Sequence, residues 1–206
     1  QANTNGCLSS IAPAVVNVSQ QPVVNTNTTT YYICEEGTAT ITGTTTSGST
    51  INWYDAATGG TLLGTGTTFT TPYLTQSATY YAEADNSGCI SAGRLAIAVI
   101  IVPLPTVTAA PAASVCGEGT TQLTATPSSG TINWYDSNDN LIGTGNTITS
   151  PVVTTDTTFY AEAVNNGCTS AAKTAVPVTV NPVPDAGPDE SVTFCANGSA
   201  ELDAGV

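Results

Sequence analysis

Histidine and methionine are absent from the 206 residues, and only two residues are basic. The missing histidine removes the side chain that most often serves as a general base or as a nitrogen ligand for metals. Two basic groups against 15 acidic ones give a net charge of −13. No patch remains to neutralise phosphates, so nucleic acid is excluded as a partner. Long apolar runs are missing too. The longest, LAIAVIIV at Leu95 to Val102, has the length of a strand and falls far short of the ~20 residues of a membrane span. The first residues show no basic stretch followed by an apolar one, so no signal peptide is read there. What is present is Thr, Val, Ile and Tyr, with 19 Gly and 12 Pro, a composition for short strands and tight turns.

The two tryptophans sit in one repeated hexapeptide, TINWYD, at Thr50 to Asp55 and Thr131 to Asp136. Around them C-x-E-G-T, GTG, T-x-T-[TS]-P, YAEA and GC recur in the same order, between Cys34 and Cys89 and again between Cys116 and Cys168. The offset is 82 residues at the first cysteines, 81 at the tryptophans and 79 at the last cysteines. Two copies of one unit are present. The ends belong to the same pattern. NTNGCLSSIAPAVVNVSQQP at the start matches the last part of each copy, and PDAGPDESVTFCANGSAELDAGV at the end opens like another. The chain therefore reads as a window on a longer tandem array.

Each copy divides into short alternating segments bounded by Gly, Asn and Pro, the pattern of a β-sandwich. A large residue on the third strand of an immunoglobulin-like sandwich fills the space between the sheets. Trp53 and Trp134 are therefore expected inward and Tyr54 and Tyr135 outward. Tyr81 and Tyr160, in YAEA, are expected in the core with the tryptophans. The fold class is all-β, tandem immunoglobulin-like β-sandwiches. The expected division is 1–23, the last strand of a preceding domain; 24–104, repeat 1; 105–183, repeat 2; and 184–206, the start of a following domain.

TINWYD, LLGTGTTFTTP, TYYAEA and GCISAGR together resemble the tandem Ig-like repeats of very large Bacteroidota surface proteins, among them the gliding-motility adhesins exported by the type IX system. DAGPDESVTFCANGSAELDAG resembles the opening of a PKD-type repeat. The resemblance implies a secreted, cell-surface location, a role in adhesion or spacing, neighbouring repeats of the same chain as partners, and surface polysaccharide or other cells as what the array meets. It implies no catalytic site and no cofactor. It departs from that pattern at Ala12, where the copies have Arg94 and Lys173, and in lacking the C-terminal sorting domain.

Six cysteines at 7, 34, 89, 116, 168 and 195 form no C-x-x-C pair, so disulfides are expected rather than a zinc site. Three wirings are open. The cysteines can pair within a copy, Cys34–Cys89 and Cys116–Cys168, with Cys7 and Cys195 bonded to partners outside the segment. They can pair across each 27-residue interval, which joins the end of one sandwich to the far side of the next. Or Cys34 can pair with Cys168, because the strands beside them run the same way and end-to-end stacking brings one pole to the other. The within-copy wiring is the expectation taken forward, although that strand direction argues against it.

Other candidates are weaker. DSNDN at Asp136 to Asn140 has the start of a calcium loop without its later glycine and glutamate, and reads as a hairpin turn. Asp185, Asp189 and Glu190 read as a polar linker, so no metal site is expected. Arg94 and Lys173 are expected to pair with Glu83 or Glu162. The DTT at Asp156 to Thr158 makes Thr157 a candidate for O-glycosylation, and Asn17, Asn27 and Asn197 fit the N-glycosylation pattern. The function expected is a non-catalytic structural or adhesive repeat, with a carbohydrate-binding or spacer module of a secreted enzyme as the alternative. An enzyme is the reading least favoured, since no nucleophile stands beside a base.

Overall fold

A computed structural model describes residues 20–46 and 48–185, together with residues 3–5, 7, 8 and 18. What the sequence suggests for the Cys7 and Cys195 side chains, for residues 9–17 and for residues 186–206 lies outside that part. Among the described residues every regular element is a strand.

The tryptophan strand Thr50–Tyr54 shows how the sheet is built. Ile51 and Trp53 point inward and are fully buried, while Asn52 and Tyr54 lie half-buried on the other face. The strand pairs antiparallel with Ala78–Asn86, where Ala82 stands opposite Trp53 and Ala84 opposite Ile51. Small residues facing large ones let the sheet close around the indole at interior density. The sheet continues in the order Thr30–Cys34, Leu95–Val102, Ala78–Asn86, Thr50–Tyr54, Leu62–Thr65. Thr30–Cys34 runs parallel to Leu95–Val102, and the other pairs are antiparallel. The facing layer pairs Val24–Asn25 with Thr44–Thr45 and Thr40–Thr42 with Thr68–Thr70.

Repeat 2 has the same plan. Thr131–Tyr135 lies between Leu141–Thr144 and Thr157–Asn165, with Trp134 opposite Ala161. Thr174–Val178 follows on the other side, and Val115–Cys116 pairs parallel with Val180–Asn181. The facing sheet is Val107–Ala109, Gln122–Pro127, Thr147–Thr149. The chain is all-β, two immunoglobulin-like sandwiches in tandem.

One expectation needs correcting. Tyr81 and Tyr160 are half-buried on the outer face, and the core aromatics beside the tryptophans are Tyr80 and Phe159, 6% and 2% exposed. The register decides it. Tyr81 pairs with Tyr54 and Tyr160 with Tyr135, so each shares the outward face of its partner.

The buried indoles also explain why GTG travels with TINWYD. A buried Trp N–H needs an acceptor. Trp53 Nε1 donates to the Gly66 carbonyl and Trp134 Nε1 to the Gly145 carbonyl, both at 2.9 Å. Gly66 and Gly145 have φ of 112° and 113°, a region only glycine enters without strain. Their own N–H groups donate to the carbonyls of Ile51 and Ile132 at 2.8 Å, closing the turn onto the tryptophan strand.

Candidate functional site: the junction between the repeats

The two sandwiches are joined through their poles. Cys34 ends the strand that pairs with Leu95–Val102 and stands in register with Val102, the last residue before the linker. The N–H of Glu35 donates to the Val102 carbonyl at 2.9 Å, holding Cys34 at that pole. Cys168 follows the hairpin at the other pole of repeat 2, paired with Asn165. The two sulfurs are bonded, with Cα atoms 5.5 Å apart and a sequence separation of 134.

This corrects the expected wiring. Cys34 and Cys89 do not pair, because strand length separates them. Cys89 is in register with Asn86, and Ala78, at the far end of that strand, lies opposite Val99, three residues before Val102. Roughly eleven residues of strand at about 3.3 Å each put them on the order of 35 Å apart. Bridged Cα atoms lie within about 7 Å. Cys116 and Cys168 are separated in the same way, and Cys89 and Cys116 are both unbonded.

The linker is packed into this joint. Val102 is 4% exposed, Pro105 is buried and Leu104 half-buried. Thr106 and Ser128 exchange hydrogen bonds, N–H to Oγ and N–H to carbonyl, each 2.9 Å, which ties the linker to repeat 2. Proline fixes φ and short linkers allow little separation, so the bridge and the linker hold the two bodies at two points.

Four hydroxyls within the sandwiches matter that sequence reasoning did not single out. Thr71 and Ser150 each accept from a backbone N–H, of Ala39 and Thr121, at 3.0 Å, and both are 3% exposed. Ser91 and Ser170 accept from Ala84 and Ala163 at 3.2 Å and donate to the carbonyls of Gly93 and Ala172 at 3.0 Å. Their recurrence inside T-x-T-[TS]-P and two residues after GC was the signal available.

The two cations cover Tyr54 and Tyr135. The Arg94 guanidinium lies 3.4 Å from the centroid of the Tyr54 ring, bonds the carbonyls of Ala56 and Gly59 at 2.6 Å, and pairs with Glu83 at 3.3 Å. Lys173 Nζ lies 3.4 Å from the centroid of Tyr135. Its ion-pair partner is Asp139 in the turn, and the Glu162 expected for it accepts instead from the Tyr135 hydroxyl at 2.9 Å. Burial and that bond push the Tyr135 phenol above its usual range, while the Asp139 bond raises Lys173. Asp136 closes its own hairpin. Its carboxylate accepts from the N–H groups of Asn138 and Asn140 at 2.9 and 2.8 Å and from the Asn140 side chain at 2.9 Å. The Asn140 bonds hold its carboxyl below the usual value. Thr157 is half-buried and donates to the Thr155 carbonyl at 2.8 Å, while the neighbouring Asp156 accepts from the N–H of Val180 at 2.7 Å. Among the described residues no group of three or more His, Cys, Asp or Glu is gathered for a metal ion. No helix there is long and apolar enough to cross a membrane.

A family model for an Ig-like domain, CHU_C associated, matches the chain twice, at residues 20–103 and 104–182. No curated protein matches the chain. Among solved structures, fibronectin(III)-like modules of Clostridium thermocellum CbhA are similar at 17% identity and a TM-score of 0.57, over 78% of this chain and 94% of theirs. A set of titin domains matches at 15% identity and a TM-score of 0.47, over 78% of this chain and 66% of theirs. The first of these likenesses concerns the fold.

Proposed function

For a chain that belongs to the family of CHU_C-associated Ig-like domains, we propose a non-catalytic structural role: a stiff spacer segment of a long, secreted cell-surface protein or extracellular filament. The observation that carries this is the Cys34–Cys168 bond across the junction. A disulfide inside a sandwich would stabilise that sandwich alone. This one adds a second covalent link between two bodies already joined by a short proline linker, and so restricts bending. A structural disulfide is also a feature of proteins that work in oxidising compartments outside the cytosol. The net charge of −13 with few cations keeps such an array soluble and repels its neighbours. Adhesion to polysaccharide or to other cells follows from the resemblance, with the array holding a binding element away from the cell.

The carbohydrate-binding alternative draws less from the structure. Sugar stacking needs a free aromatic face, and Arg94 occupies a face of Tyr54 and Lys173 a face of Tyr135.

Small-angle scattering on the full chain tests the spacer reading. With the bond intact the maximum dimension is single-valued. In the double variant Cys34→Ser, Cys168→Ser the distribution broadens toward bent shapes, while tryptophan fluorescence shows both sandwiches still folded. Identical scattering from the two chains would remove the stiffening role.

A further inference from the structure

Each half of the Cys34–Cys168 bridge has an unbonded counterpart in the other repeat: Cys116 stands where Cys34 does, and Cys89 where Cys168 does. The backbone presents them alike. Cys34 is in register with Val102, whose carbonyl accepts from Glu35; Cys116 is in register with Asn181, whose carbonyl accepts from Gly117. The next residue is left-handed in both cases, Glu35 at φ 61° and Gly117 at φ 71°. Cys168 faces Asn165 across a turn through Asn166 and Gly167, with φ of 49° and 84°. Cys89 faces Asn86 across Ser87 and Gly88, with φ of 50° and 92°.

What differs is the covering. Cys168 is 1% exposed at the junction, whereas Cys89 is only partly buried. The linker shows the same contrast. Pro105 is buried and Leu104 half-buried where repeat 2 follows them, while the corresponding Val183 and Pro184 are exposed, Val183 to 68%. Ile90, beside Cys89, is 49% exposed. The two outer poles thus carry the parts of the internal joint, one half each, with their contact faces open among the described residues.

We propose that these poles are complementary halves of one joint and that a second copy of this segment occupies them, standing in for the repeats that flank it in a longer array. Cys116 of one copy bonds Cys89 of the copy that follows, head to tail, in the arrangement that Cys34 and Cys168 show internally. This rests on the spacer reading and deepens it. Each repeat would give its first cysteine to the repeat after it and its last to the repeat before it. Every joint would then hold one bridge and every sandwich would be tied on both sides. Such a contact is heterologous, so it adds copies head to tail. The chemistry is thiol–disulfide exchange with a small disulfide such as oxidised glutathione. Two protein thiols and one small disulfide become one protein disulfide and two small thiols, through a mixed-disulfide intermediate.

The test uses the full chain carrying Cys7→Ser and Cys195→Ser, incubated in a glutathione redox buffer as an equal mixture of isotopically light and heavy copies. Non-reducing electrophoresis should show a ladder of oligomers, and peptide mapping should find Cys116 of one label joined to Cys89 of the other. Adding Cys89→Ser or Cys116→Ser should stop each chain at the monomer, and mixing those two variants should give a dimer and nothing longer. Free or glutathione-capped thiols at both positions would overturn the proposal. So would Cys89–Cys89 or Cys116–Cys116 bonds, or a bond within one copy. The same digest reads the Cys34–Cys168 peptide. If that is present without the ladder, the joint between copies fails and the spacer reading stands; if it is missing, both fall.

Discussion

In repeat 1 the indole of Trp53 stacks on Phe69 with ring centroids 5.6 Å apart, and Phe69 meets Tyr80 at 5.3 Å. In repeat 2 the places of Phe69 and Tyr80 are taken by Ile148 and Phe159, packed around Trp134. Apolar volume has been exchanged between the copies while the buried polar contacts have not. The indole still donates to the second glycine of GTG, the hydroxyl before proline still accepts from a buried N–H, and the serine after GC still bridges two backbone groups. Physics separates the two kinds of position. Volume-conserving swaps in a core usually cost less than ~1.5 kcal/mol, whereas a buried donor left without a partner costs about 1–3 kcal/mol and cannot be repaired by repacking. The motif that repeats is therefore the set of side chains that satisfy the backbone, with the tryptophan as its anchor.

Removing the anchor should break the comparison most. Trp53→Ala and Trp134→Ala should each destabilise their own sandwich by about 3–5 kcal/mol in denaturant unfolding. Repeat 1 should lose up to ~1 kcal/mol more, because its indole also gives up the stack on Phe69. A loss below about 1 kcal/mol in either sandwich would contradict the buried, hydrogen-bonded indole.

The two cations offer a finer contrast. Arg94 reaches Glu83, two carbonyls and the Tyr54 face with its side chain 10% exposed, while Lys173 is 25% exposed and pairs with an Asp139 that is 75% exposed. Arg94→Ala should cost about 1–2 kcal/mol, since it strips a half-buried carboxylate and two carbonyls of their donor. Lys173→Ala should shift the repeat 2 transition by less, because solvent screens an exposed pair. Equal shifts in thermal unfolding would show that the extra donors of Arg94 contribute nothing.

How far these features could be read from the sequence varies with what fixes them. The period of two on TINWYD placed both tryptophans inward, because one strand is enough to set alternation. It did not place the aromatics of YYAEA and FYAEA. Two adjacent rings leave parity open until the partner strand is known, and Ala82 opposite Trp53 puts Tyr80 inward rather than Tyr81. The cysteine spacing stayed ambiguous for a larger reason. Which pole Cys34 occupies depends on Thr30–Cys34 joining the sheet parallel to Leu95–Val102, a pairing between residues 68 positions apart that local pattern does not encode. Arg94 with Glu83 was legible because their strands are neighbours. Asp139 as the partner of Lys173 was not, since it lies in a turn whose reach depends on its backbone, φ 68° at Asp139 itself.

That turn gives the smallest and most selective prediction. Repeat 1 has DAATGG where repeat 2 has DSNDN, and only the latter closes through an asparagine side chain on the aspartate, Asn140 Nδ2 to Asp136 Oδ2 at 2.9 Å. The Asn140 bonds hold the Asp136 pKa below its ordinary value of 3.8. A carboxyl whose pKa is lower in the folded state binds its proton more weakly there. Its stabilisation is fully present above the unfolded value and is lost as the pH falls through the folded one. Asn140→Ala removes the largest cause of the shift. The thermal midpoint of repeat 2 should therefore differ between wild type and Asn140→Ala by a constant small amount from neutrality down to about pH 5, and the gap should narrow below the ordinary aspartate range. Comparing the two chains at each pH cancels every titration they share, including those of repeat 1. A gap that persists unchanged to the lowest pH at which the sandwich folds would mean that Asn140 acts through the turn's shape and not through the charge on Asp136.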